Sequence, residues 1–261
     1  MKRPTPPRPI EVMRDRIQKA LAGRGVGSRR QVEAWIEAGR LSVNGKLARP
    51  GQPIGAQDDV RLDGRKLRLG EQAAGDHRGL LYHRPPKEEV RGTAGGDRRG
   101  SLERLPKVAG RRWIPISPLA ANDGGLEIFI TDGQLAAELM RRSHALHCEY
   151  SVRMRGDPDE SRIAGIQAAA AAEPETANRL TLIEPAGGEG SNRWFHVSCI
   201  GLRPRDLKGI FERSGLEVNR VIRTRIGPIA MDRALARGRS RPMTDLELAA
   251  LRELCAGQGP G

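Results

Sequence analysis

The run Leu126-Glu127-Ile128-Phe129-Ile130-Thr131-Asp132-Gly133-Gln134-Leu135-Ala136-Ala137-Glu138-Leu139-Met140 changes its apolar period halfway along. Leu126 to Ile130 is short and almost continuously apolar, which predicts a buried strand, whereas Leu135, Ala136, Leu139 and Met140 fall on one side of a helix. Asp132 sits at the junction, where a short acceptor side chain caps a helix, so capping rather than catalysis is its expected role. Outward from this unit, Trp113-Ile114-Pro115-Ile116 predicts a preceding strand, and Leu80, Leu81 and Tyr82 start an apolar run that breaks at Pro85-Pro86. Downstream, Glu149 to Met154 alternates as a strand and the Ala-rich Arg162 to Glu173 favours helix. Arg193 to Ile200 and Val221 to Ile226 are further strand candidates, with a helix from Asp206 to Ser214 between them. The class is α+β. Glu88 to Arg104 carries Gly92, Gly95, Gly96 and Gly100 among charges and is expected to be a mobile surface loop.

The N-terminal part reads as a separate module. From Arg14, Ile17, Ala20 and Leu21 recur at helical spacing until Gly23 and Gly25 end the pattern, leaving a face for Arg16 and Lys19. Ser28 with Gln31 three residues on predicts a capping box, and Val32, Trp35 and Ile36 give the next helix its buried stripe up to Gly39. Arg29 and Arg30 then fall in its first turn, against the helix dipole, a cost that makes sense if they are kept for an anion. Asn44-Gly45 and Asp63-Gly64 are tight-turn dipeptides between short strands around Leu41, Val43, Val60 and Leu62.

Composition bounds the function. The 261 residues hold 45 Lys plus Arg against 32 Asp plus Glu, a net charge of +13 with a pI near 10.7. Residues 1–70 alone carry 16 basic and 7 acidic side chains, so the excess is concentrated and favours a polyanionic partner. Aromatics are only 3%, against a Phe- and Trp-rich sandwich. No apolar run approaches the roughly 18 residues of a membrane span, and Arg14-Asp15-Arg16 interrupts any secretory signal, so no membrane association and a cytoplasmic location are expected. Cys148, Cys199 and Cys255 are far apart in sequence and signal neither a disulfide framework nor zinc. His77, His83, His144, His147 and His196 show no metal spacing. The expected organisation is a basic tail over 1–11, a module over 12–70, a linker over 71–79, a larger domain over 80–255 and a tail over 256–261.

Arg16-Ile17-Gln18-Lys19-Ala20-Leu21, Gly27-Ser28-Arg29-Arg30 and Gly39-Arg40-Leu41-Ser42-Val43-Asn44-Gly45-Lys46, in that order, closely resemble the RNA-binding module named after ribosomal protein S-four. The resemblance implies phosphate-contacting roles for Arg16, Lys19, Arg29, Arg30, Arg40 and Lys46, reading RNA shape rather than sequence. The larger part resembles pseudouridine synthases of the RsuA type, which carry such a module at their N-terminus. Trp113 to Ile116 through Gly125 to Gly133 matches their core motif, Glu149 to Arg153 their tyrosine motif, and Asn219 to Gly227 their late basic motif. The resemblance implies a mixed domain built on an antiparallel sheet, no cofactor, no metal, a monomer, and structured RNA as partner, either ribosomal RNA or a ribosomal assembly particle.

Converting uridine to its C-glycoside breaks the bond from ribose to base, rotates the base and rejoins it through carbon. The family does this on an extracted nucleotide with one indispensable Asp, in a Gly-Arg-Leu-Asp-x-x-Thr-x-Gly-Leu motif. The matching segment here is Ser117-Pro118-Leu119-Ala120-Ala121-Asn122-Asp123-Gly124-Gly125-Leu126, so Ala120 takes the carboxylate's place. Ser117, Pro118 and Asp123 replace the motif's Gly, Arg and Thr. The family's Lys-Pro-x-Gly resembles Arg84-Pro85-Pro86-Lys87, and its Gly-Arg-x-Arg-Glu resembles Leu202-Arg203-Pro204-Arg205-Asp206, each without the Gly. Tyr150 and Arg223 match the positions that stack on the base and pair with the catalytic carboxylate. The expectation is an RNA-binding protein with impaired catalysis. The alternative is an active ribosomal RNA pseudouridine synthase using a displaced carboxylate such as Asp123, and a DNA-binding regulator is disfavoured because no recognition helix is visible.

Overall fold

The computed structural model describes residues 15–55, 57–67, 78–90, 100–108, 111–156, 158–172, 178–189 and 192–256. Both expected tails, apart from Ala256, and linker residues 71–77 lie outside this set, as do residues 91–99 of the expected glycine-rich loop. The chain divides into two compact units, residues 1–76 with 107–112 and residues 77–106 with 113–261.

In the first unit, β1 (Asp15–Arg16) leads into α1 (Ile17–Gly23) and α2 (Arg29–Glu37). Then come β2 (Leu41–Val43), β3 (Lys46–Leu47), β4 (Pro53–Ile54), β5 (Val60–Leu62) and β6 (Arg65–Lys66). The capping box is present: Ser28 Oγ accepts from the Gln31 amide at 3.1 Å and Gln31 Oε1 accepts from the Ser28 amide at 2.8 Å. Asn44 and Gly45, like Asp63 and Gly64, all have positive φ, the backbone that a two-residue hairpin turn demands. A four-stranded antiparallel sheet in the order β3-β2-β5-β6 results, and Ile17, Leu21, Val32, Ile36, Leu41 and Val60 fill the core beneath it. One expectation is corrected. Arg16 is not on the α1 face with Lys19 but in the extended residue that precedes the helix, where β1 pairs with β4.

The second unit runs β7 (Gly79–Arg84), α3 (Ser101–Arg104), β8 (Ile114–Ile116), β9 (Gly124–Ile130), α4 (Gly133–Arg141) and β10 (His147–Arg155). It continues with α5 (Glu160–Ala171), β11 (Arg179–Glu189), β12 (Asn192–Ile200), α6 (Pro204–Arg213), β13 (Glu217–Ile226), β14 (Ile229–Ala230), β15 (Ser240–Pro242) and α7 (Asp245–Ala256). The strands form one sheet in the order β11-β12-β10-β13-β9-β7-β15, with β14 on β13 and β8 on β9. All pairings are antiparallel except β9 with β13, where Gly124 faces Ile222 and Gly125 faces Arg223. Leu126, Ile128, Leu139, Val152, Phe195, Val197, Leu207 and Phe211 belong to the main apolar core. Asp132 caps α4, its Oδ1 accepting from the Gln134 and Leu135 amides.

The expectation of a loop throughout Glu88 to Arg104 is also corrected. Ser101–Arg104 is helical, and Glu88 is buried, accepting a hydrogen bond from the Tyr82 hydroxyl at 2.8 Å. Tyr82, Leu80, Leu105 and Phe129 form a small second core there, which gives the segment an apolar reason to pack. Cys148 and Cys199 are buried, free, and opposite one another on β10 and β12. Among the described residues no helix is long and apolar enough to cross a membrane.

Candidate functional site

All six basic residues singled out in the first unit are exposed, but they are not equivalent. Lys19 Nζ lies 2.8 Å from Asp15 Oδ1, and Arg40 forms a two-pronged pair with Asp63 that holds that carboxyl below its usual range. Arg16, Arg29, Arg30 and Lys46 have no carboxylate partner among the described residues. Arg29 and Arg30 stand in the first turn of α2, which contains no acidic residue to offset them. Their charge is therefore available to an external anion, while that of Lys19 and Arg40 is largely met within the protein.

In the second unit the segment from Ser117 to Asp123 links β8 to β9. Ser117 has φ of 48°, a left-handed backbone that costs an L side chain about 1–2 kcal/mol and is native to the glycine it replaces in the motif. Position 120 carries a methyl group, and the charged groups around it are engaged elsewhere. Arg223, only 1% exposed, donates from Nε to the Leu126 carbonyl and from Nη1 to the Ser117 carbonyl, both at 2.9 Å. Its Nη2 is buried with no partner, and no carboxylate among the described residues pairs with it. A guanidinium stays charged in such a place, so main-chain dipoles carry a load that a carboxylate would carry better.

Asp123 is 2% exposed, and its Oδ1 is 2.7 Å from Lys208 Nζ on α6. Behind the same segment Arg84, fully buried, donates from Nη2 to the carbonyls of Ala120 and Asp123 and places Nη1 3.5 Å from Glu127 Oε1. Glu127 Oε1 also accepts from the Leu119 amide at 3.0 Å. Burial pushes the Glu127 carboxyl up and the Arg84 guanidinium down, and each opposes the shift of the other. Tyr150 is 1% exposed with its hydroxyl donated to the Leu202 carbonyl at 3.1 Å, and burial raises its phenol well above the usual range. Tyr150 and Arg223 are cross-strand partners on β10 and β13.

Two groups at this site were not foreseen in the sequence: Glu127, the lone charge in an apolar strand, and Lys208, which the helix periodicity of α6 does not single out. The buried Arg84–Glu127 pair turns the back of the segment into a fixed ionic brace. Buried carboxylates thus exist near position 120, but each is matched to a cation on its own side.

The comparisons with known proteins fit this architecture. The S4 domain family matches residues 15–60. The chain is 38% identical over 239 residues to ribosomal large subunit pseudouridine synthase B of Salmonella typhimurium, covering 91% of this chain and 81% of that protein. It is 38% identical over 247 residues to the protein of the same name from Escherichia coli K12, covering 93% and 84%. The Pseudomonas aeruginosa protein of that name is 37% identical over 249 residues, and the chain spans 64% of its length. A crystal structure of a pseudouridylate synthase superposes with a TM-score of 0.56 at 20% identity, covering 90% of this chain and 99% of that one, which supports the fold. With an S4 domain followed by a mixed sheet domain that aligns along most of its length with these relatives, the chain belongs to the ribosomal large subunit pseudouridine synthase B family.

Proposed function

We propose that this chain binds structured ribosomal RNA and does not isomerise its uridines. The observation that carries the reading is Ala120, an uncharged side chain at the position where the family's motif has its Asp. It is supported by Arg223, whose guanidinium is spent on the Ser117 and Leu126 carbonyls with no carboxylate partner among the described residues. The S4 domain, Arg29 and Arg30 without a carboxylate partner among the described residues, and the names of the relatives support ribosomal RNA as the ligand, free or in an assembly particle. A monomer in the cytoplasm, without cofactor or metal, suits this role.

The competing reading, catalysis by Asp123, needs that carboxylate free to meet a nucleotide, and its pairing with Lys208 speaks for a structural role instead. Incubation of the full chain with unmodified ribosomal RNA, followed by pseudouridine mapping, is expected to find no new pseudouridine. New pseudouridine that Asp123→Asn abolishes would establish the competing reading. Ala120→Asp tests how much has been lost: turnover in that variant would mean that a single group was missing, and silence would place the loss in the wider segment.

A further inference from the structure

A cavity of about 830 Å³ lies in the second unit, bounded by α5, the start of β11, the residues after β12 and one side of α6. Its size is that of a small-molecule site, which typically spans roughly 300–1,000 Å³. The residues assigned above, Ala120, Asp123, Tyr150 and Arg223, do not line it. Four arginines do, Arg179, Arg203, Arg205 and Arg213, against one carboxylate, Asp206. That carboxylate is already engaged, its Oδ2 accepting from the Arg203 amide at 2.9 Å and its Oδ1 lying 3.4 Å from Arg205 Nε. Arg203 and Arg213 have no carboxylate partner among the described residues. Ser143, His144 and Asn178 add uncharged polar groups to the wall, and Ala170 and Ile210, only partly buried, give it apolar surface.

The wall is also shaped by glycine. Arg205, Gly209 and Arg213 recur every four residues and share one face of α6, while Leu207 and Phe211 face the core. A glycine inside a helix costs stability, and here it leaves the cavity open between two arginines. At the far end Gly201, with φ of 69°, lets the chain pass so close to the His144 carbonyl and the Asn178 side chain that a Cβ would collide with both. A mixed wall on which Arg203 and Arg213 have no carboxylate partner among the described residues suits a ligand with a planar body that can hydrogen-bond and a phosphate, because Arg grips phosphate with a planar fork and stacks on planar rings.

We propose that this cavity binds a nucleotide, its base against Ala170 and Ile210 and its phosphate held by Arg203 and Arg213. Resting on the RNA-binding reading above, the favoured source is an unpaired nucleotide of the bound RNA, held apart from the position that the family's chemistry addresses. A free mononucleotide shares the same chemistry. α6 joins the two places, since Lys208 reaches Asp123 while Arg205, Gly209 and Arg213 line the cavity.

The test uses the full chain with three probes: a ribosomal RNA stem-loop carrying an unpaired nucleotide, the same stem-loop without it, and adenosine monophosphate. Gly209→Leu fills the cavity without removing charge, and Arg203→Ala with Arg213→Ala removes two cations; circular dichroism checks that each variant folds. The expected result is that Gly209→Leu weakens binding of the first stem-loop at least tenfold and leaves the second unchanged, whereas the double Arg variant, which releases one phosphate, also lowers the salt slope by about 0.7. If only adenosine monophosphate responds to Gly209→Leu, the site is nucleotide-binding but serves a free ligand. If no probe distinguishes the wild type from Gly209→Leu, the cavity proposal is overturned, and the RNA-binding reading survives so long as the wild type still binds either stem-loop. Failure of the wild type to bind any stem-loop sinks that reading instead, and adenosine monophosphate then decides the cavity.

Discussion

Arg84 holds Ala120 by its main chain: Nη2 of a fully buried guanidinium donates to the Ala120 carbonyl and, at 3.0 Å, to that of Asp123. The Ser117 to Asp123 segment is fastened by an ionic pair, since Arg84 Nη1 also lies 3.5 Å from Glu127 Oε1. A buried pair of this kind contributes little net stability compared with apolar packing, but removing one partner strands the other. Arg84→Met should therefore destabilise the protein by about 3–5 kcal/mol, and Arg84→Met combined with Glu127→Leu should recover much of that loss. Denaturant unfolding of the two single variants and the double variant checks it; additive losses would show that the pair is not a coupled unit.

The same pair sets a pH dependence. Burial raises the Glu127 carboxyl above its ordinary range, with Arg84 opposing the shift. A carboxyl that is easier to protonate folded than unfolded favours the folded state at low pH, and that contribution is lost as pH rises through the folded value. Without Arg84 the Glu127 carboxyl rises further, so the stability deficit of Arg84→Met relative to wild type should grow as pH climbs through a window above the ordinary carboxylate range. A deficit that stays constant over this window would mean that Glu127 is not the titrating group.

Asp123 and Lys208 make a second brace, 2.7 Å apart with the carboxylate side chain 3% exposed and the lysine 29%. Because Lys208 keeps some contact with water, breaking the pair should cost less than at Arg84, about 1.5–3 kcal/mol for a hydrogen bond to a charged group. Lys208→Met and Asp123→Asn should both lower the melting temperature without changing the pseudouridine content of RNA incubated with the protein. A variant that keeps its melting temperature and changes RNA modification would assign Asp123 to chemistry.

Two backbone positions in one motif should respond oppositely. Ser117 occupies φ of 48°, so Ser117→Gly relieves a strained backbone at the cost of about 0.5–1 kcal/mol of unfolded-chain entropy, and its net effect should lie between neutral and about 1 kcal/mol stabilising. Gly125, at φ of 105°, sits where β9 meets β13, and a Cβ there would collide with the main chain of Arg223. Gly125→Ala should cost more than about 3 kcal/mol, because strain and steric displacement of a sheet strand add. Thermal melts of both variants read this contrast directly, and equal effects would refute it.

How much of this was readable from the chain depends on how local the cause is. The α2 cap is written within four residues, Ser28 to Gln31, and the α4 cap within Asp132 to Leu135; both stand as the pattern requires. β11 escapes a pattern reading because Pro185, Gly187 and Gly188 interrupt it and its register shifts twice; an edge strand tolerates both. α7 has no cap-and-stripe pattern as clear, and Leu246 on it is 83% exposed. At the candidate site, Ala120 and Arg223 stand out through the resemblance to the family's motifs. Lys208 does not, because its partner lies 85 residues away and only the packing of α6 brings them together. Arg84 was legible as a motif position but not as a brace, since nothing local in the sequence couples it to Glu127.

The first unit gives the sharpest test of RNA binding, because its cations differ in what they already hold. Arg29 and Arg30 lack a carboxylate partner among the described residues, whereas Arg40 is clasped by Asp63 through two hydrogen bonds. Each phosphate that a variant no longer neutralises should reduce the salt slope of binding by about 0.9, so Arg29→Ala with Arg30→Ala should flatten it by about 1.8 and weaken affinity for a ribosomal RNA stem-loop most at low salt. Arg40→Ala frees Asp63 to repel the RNA, yet removes a charge that was already neutralised, so its slope should change by less than half as much. Titrations at several salt concentrations separate the two cases: equal slopes for both variants would mean that pairing with Asp63 does not remove Arg40 from the RNA-facing set, and an unchanged slope for the double variant would take Arg29 and Arg30 out of it.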